Sequence, residues 1–147
     1  MKLSKEQLLD CLNEHLPYEE MMLLETSKIP FDINQTYNNM IIESFAIHLR
    51  NFITFFYPKE KRYKTDICAE NFFSNPKDWE KIRPTISQTL IDAKERADKQ
   101  VGHITAERIS GIMSPKKGWE RANLRNEIIF LLKLFYNNAD IKIKKIN

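Results

Sequence analysis

The chain has 147 residues, 42% of them hydrophobic and 29% charged, with a formal net charge of +3. That size suits one ordinary domain with its own core, and the composition excludes wholesale disorder and leaves no apolar run near the roughly 20 residues that span a bilayer. A charge of +3 is too small to imply nucleic-acid binding by itself, and the two distant cysteines, Cys11 and Cys68, read as free thiols of a reducing compartment.

Only three glycines occur, at 102, 111 and 118, which leaves little material for hairpin turns or a phosphate-cradling loop and favours helices. Met1 to Glu6 carries no signal-peptide core, so the cytoplasm is the expected location. Ser4 and Gln7 form a capping-box pair that opens a first helix through Leu8, Leu9 and Leu12 to about Leu16. Pro17 fits the first turn of a second helical stretch running to about Lys28, and Pro30 stops it.

The longest helix runs from Asn34 or Gln35 to Tyr57 and is closed by Pro58. Tyr37, Ile41, Phe45, His48, Phe52 and Phe55 recur along it in helical steps, which makes it the central core helix. Pro58 to Lys64 is a basic, exposed connection. Asn75 and Pro76 open a short helix to about Arg83, and Pro84 starts another from Thr85 to about Gly102 or His103, buried through Ile86, Leu90, Ala93, Ala97 and Val101. Ser114-Pro115 opens the last long helix, with Leu124, Ile128, Leu131, Leu132 and Phe135 as its stripe; the tail beyond Asp140 is frayed. The reading is one all-α domain over residues 1–147, an antiparallel bundle of about five helices.

No Walker loop, dinucleotide fingerprint, zinc ribbon or HExxH helix is present, and no metal or cofactor is expected. His103 and Glu107 are one helical turn apart, but two ligands do not make a metal site. On one continuous helix Arg96 and His103 differ by about 20° around the axis and about 10 Å along it, with Lys99 between them. A fixed cation beside a group that moves protons near neutral pH is what metal-free RNA cleavage by the 2′-hydroxyl requires. The plainer reading is an Asp92–Arg96 ion pair and a His103 that caps the helix.

A second constellation, Ser44, His48 and Asn51, lies on or beside the apolar stripe of the central helix and either builds a buried hydrogen-bond network or lines a polar cleft. Arg50 and Glu43 occupy a neighbouring face as a solvated or interhelical pair. The aromatics Phe52, Phe55, Phe56, Tyr57, Phe72, Phe73 and Trp79 read as core rather than as a base-stacking platform.

The stretch Glu43-Ser44-Phe45-Ala46-Ile47-His48-Leu49-Arg50-Asn51-Phe52, followed by Arg96 to His103 and Ile104-Thr105, resembles HEPN-type helical-bundle proteins, in helix order over roughly residues 18 to 136. Members carry Arg, a gap of about four to six residues, then His on a late helix, and Arg96 and His103 fit at the wide limit. The resemblance implies a homodimer with two Arg/His pairs in one cleft that binds or cuts RNA without metal, in a toxin or defence setting with a cognate antitoxin or other partner protein. In that reading Arg96 and His103 are catalytic, and Lys99, His48, Arg50 and Asn51 bind or position RNA. Two rivals stand beside it: a noncatalytic helical interaction module, antitoxin-like or scaffolding, and a bundle that binds a small ligand beside His48.

Overall fold

A computed structural model describes residues 3–58, 63, 65–101 and 118–141. Six α-helical segments form five rods, and no strand occurs among the described residues. The first rod begins with α1 (Lys5–Asp10), passes through a π-helical turn at Cys11–His15 and continues as α2 (Leu16–Lys28). Its start is the expected capping box: Ser4 Oγ accepts from the Gln7 N–H at 3.2 Å while Gln7 Oε1 accepts from the Ser4 N–H at 2.8 Å. Where two helices were expected to meet at Pro17, the rod runs straight through. Proline cannot donate to the carbonyl one α-turn back, and just before it the ladder widens, with the Leu16 N–H reaching the Cys11 carbonyl five residues back.

The second rod is α3 (Gln35–Phe56), capped by Asn34, whose side chain accepts from the Tyr37 N–H at 3.1 Å. Ile41, Phe45, His48, Phe52 and Phe55 are buried along it as expected, whereas Tyr37, on the first turn, is exposed. A 3₁₀ turn (Ala69–Phe72) leads to α4 (Lys77–Ile82), whose first N–H is met by the Asn75 side chain at 3.2 Å. The next helix, α5 (Gln88–Arg96), does not start at Pro84. Its cap is Ser87, which accepts from the Leu90 N–H, so Thr85 and Ile86 lie before the helix. It runs on as a second π-helical segment, Ala97–Val101. The last helix, α6 (Arg121–Asn138), begins after Glu120; residues 118–120 are not helical, and the proposed start at Ser114-Pro115 lies outside the described residues.

The core forms where α3, α4 and α6 meet. Phe135 of α6 is enclosed by rings, with centroids 5.3 Å from both Phe55 and Phe72 and 6.0 Å from Trp79, mostly edge to face. Polar groups at this end are used up: the Phe56 carbonyl, orphaned at the end of α3, accepts from Trp79 Nε1 at 2.8 Å and Arg83 Nη1 at 2.7 Å. The far end of α2 is closed in the same way by α6, where Arg121 donates to the Thr26 and Ile29 carbonyls at 2.6 and 2.9 Å. Cys11 and Cys68 are both buried, and no described helix is long and apolar enough to cross a membrane.

Candidate functional site

The middle turns of α3 carry the polar residues singled out above. His48 is buried, and its Nδ1 lies 2.7 Å from Glu19 Oε2 of α2. Asn51, one turn on, donates to the same oxygen at 3.1 Å. Tyr18 lays its ring edge-on to the imidazole, with centroids 5.7 Å apart. Of the row Ser44, His48 and Asn51, the last two therefore converge on a single carboxylate, whose second oxygen has no partner among the described residues. A carboxylate on one imidazole nitrogen fixes ring orientation and tautomer.

Arg50 leaves α3 on the other side and reaches across to the π-helical segment, where its Nε meets Asp98 Oδ1. Lys94 of α5 takes the other Asp98 oxygen at 2.8 Å. Burial would raise the Asp98 carboxyl, but the bonds and charges of Lys94 and Arg50 outweigh it and leave the acid below its ordinary range. Arg50 is thus paired across the helix interface with Asp98 and not with Glu43, the residue grouped with it in sequence.

Arg96 is not paired through Asp92 in the expected manner. Asp92 accepts from Gln88 Nε2 at 2.7 Å, whereas Arg96 Nη1 donates to the Gly118 carbonyl at 2.7 Å and its guanidinium lies 4.3 Å from the Trp119 ring centre. Burial against that ring lowers its affinity for the proton. Lys99 meets Glu95 at 3.2 Å. From Arg96 onward the chain does not keep the roughly 100° per residue of an α-helix, because Ala97–Val101 is π-wound, so the common face of Arg96 and Lys99 is not that of an ideal α-helix. His103 lies outside the described residues.

Beside this seam a cleft of about 490 Å³ opens between the first π-turn and α3, with Leu16, Phe52, Phe55 and Ile67 supplying apolar wall and Glu19, Arg50 and Asn51 polar groups. Both π-helical segments flank the same two turns of α3: Cys11 and His15 of the first line the cleft, and Asp98 of the second binds Arg50. Glu19, Lys94 and Asp98 were not singled out in sequence. Glu19 and Asp98 have no local spacing that could announce them, because each reaches α3 across a helix interface, and Lys94 joins the site only through Asp98, four residues on along its own rod. Among the described residues no group of three or more His, Cys, Asp or Glu side chains could hold a metal ion.

Comparison of the chain with protein-family models, with curated proteins and with solved structures finds no match.

Proposed function

We propose that this chain is a HEPN-like RNA-binding bundle that cleaves RNA without metal. The observation that carries the reading is the Arg50–Asp98–Lys94 bridge. It ties the His48–Asn51 turn to the segment bearing Arg96 and Lys99, two stretches that are nearly fifty residues apart and that both carry the likeness to HEPN proteins. Asp98 is shared by two cations, so the pair of stretches keeps positive charge for a phosphate backbone. In the mechanism His103 exchanges the proton of the attacking 2′-hydroxyl and Arg96 stabilises charge on the phosphorane, with Lys99, Arg50 and Asn51 holding the strand.

Activity then survives a chelator, and products carry a 2′,3′-cyclic phosphate because the nucleophile is internal. His103→Ala loses roughly 10² to 10⁴ in rate, the usual worth of general acid–base catalysis, and Arg96→Lys is impaired because an ammonium lacks the planar fork. Equal cleavage by wild type and His103→Ala would mark the activity as contamination and hand the lead to the interaction-module reading.

A twofold homodimer belongs to the same proposal. Met40 and Ile47, seven residues apart on one face of α3, are exposed, as are Tyr18 and Met21 on the neighbouring α2. A patch of this kind is a candidate self-association surface. Sedimentation at tens of micromolar reads a dimer if so, and a monomer alone at about that concentration removes the composite two-pair cleft.

A further inference from the structure

We infer that the cleft between the first π-turn and α3 is a guanine-nucleotide subsite, reading the base with Glu19 and the phosphate with Arg50. Its volume of about 490 Å³ falls within the roughly 300–1,000 Å³ of small-ligand sites. The chemistry is graded from inside to outside. Buried Leu16, Phe52 and Phe55 give an apolar wall on which a planar ring loses little and gains contact. Glu19 sits deeper, with its side chain 25% exposed, and Arg50 stands nearer the rim at 50%.

Glu19 is already oriented. His48 and Asn51 both hold Oε2, so the carboxylate cannot turn freely, and Oε1 is left to accept from whatever enters. A carboxylate accepts only, so the ligand edge facing it must donate. Guanine presents two adjacent donors, N1–H and the exocyclic N2–H, on its Watson–Crick edge. Adenine sets an acceptor next to its one donor there, and uracil sets carbonyls on both sides of its N–H. Arg50 spends Nε on Asp98 and has its terminal N–H groups left for an anion. A ligand with a donor-rich planar edge at one end and an anion at the other matches both. The two π-helical segments on either side of these turns agree with a functional role, since π-bulges concentrate at such sites.

The base can arrive as a free mononucleotide or as an unpaired guanine within an RNA strand; the second form rests on the RNA reading and the first does not. The test is titration of the full chain by calorimetry with GMP, guanosine and AMP, and with a non-cleavable 2′-O-methyl hexamer of adenines carrying one internal guanine or none. The expected order is GMP tighter than AMP by roughly 10-fold or more, because the wrong base leaves a half-buried acceptor unpaired, with guanosine weaker than GMP. Glu19→Gln removes the preference for guanine. Thr54→Trp, which fills the cleft from α3 without touching Glu19, abolishes GMP binding while the melting temperature is kept. Tight binding of the guanine hexamer with weak GMP binding assigns the subsite to a strand, and comparable affinities assign it to the free nucleotide.

GMP and AMP binding alike, or GMP binding unchanged in Thr54→Trp, overturns the inference, as does absence of binding by both GMP and the guanine hexamer. The two proposals separate cleanly. RNA cleavage that is indifferent to Thr54→Trp and to guanine retains the ribonuclease reading and removes the subsite, while GMP binding by a protein that never cuts RNA retains the subsite and removes the ribonuclease reading.

Discussion

One helix, α3, serves two regions of opposite character. At its C-terminal end Phe52, Phe55 and Phe56 join Phe72, Trp79 and Phe135 in a closed aromatic cluster, and the polar groups within it are matched one to another. One turn earlier His48, Arg50 and Asn51 face Glu19 and Asp98 in a seam that is half open and carries spare bonding capacity. The difference teaches how the fold divides its labour. The closed end gains stability from apolar area and ring geometry, whereas the seam holds charged groups whose burial stabilises little and whose value lies in what they present.

The largest effect that sharpens this contrast is expected at Phe135. Truncation to Ala removes the ring at the centre of the cluster and should cost about 3–5 kcal/mol in denaturant unfolding. A cost below about 1 kcal/mol would mean that the cluster does not anchor the fold. Next comes Glu19→Ala, which strands a buried imidazole and should cost about 1–3 kcal/mol. The double variant with His48→Leu should recover much of that loss. If the double variant is instead as unstable as the sum, the pair is not acting as a unit.

The pH dependence separates the regions further. Asp98 has a folded pKa below its ordinary 3.8, so its contribution is present above that value and is lost as pH falls through the lower folded one. Tyr136 behaves oppositely in direction. Partial burial first, and then the nearby Glu20 charge, push its phenol from 10.0 to about 12, so the stability linked to its neutral form is complete below 10 and declines as pH rises toward the folded value. Phenolate absorbance through an alkaline titration, taken as the difference between wild type and Tyr136→Phe, reads that group in the native state. A normal titration near 10 would place Tyr136 in water. The smallest effect is expected from Asp98→Asn at neutral pH, below about 1 kcal/mol, because its partner Arg50 is half exposed.

Much of the fold was legible in the sequence, for physical reasons that particular elements make plain. Ser4 and Gln7, Asn34, and Pro58 after Tyr57 are local signals, and the ends they mark lie where expected. Pro84 misled because a proline that could open a helix also fits an extended approach, and Ser87, three residows on in the chain, offers the better cap. The sequence signals a joint at Pro17 because a regular α-helix has no room for the proline ring beside the carbonyl four residues back; a π-turn makes that room, and nothing in composition announces one. Tyr37 kept the helical period yet stands exposed, since period fixes a face but not how far the neighbouring helix extends. For the site, His48, Arg50 and Asn51 were legible as polar intrusions beside an apolar stripe. Their partners Glu19 and Asp98 were not, being brought to them only by packing of α2 and of the Ala97–Val101 segment against α3.

The central claim is that the α3 seam and the Lys94–Val101 stretch act as one RNA-binding surface. It is tested most directly by fluorescence anisotropy of a labelled single-stranded RNA with wild type, Arg50→Gln, Lys99→Gln and the double variant across a salt series. Each single loss of a phosphate contact should weaken binding and lower the dependence of log affinity on log salt by about 0.7. Unchanged affinity and salt dependence in all three variants, with the aromatic core intact by circular dichroism, would contradict the account.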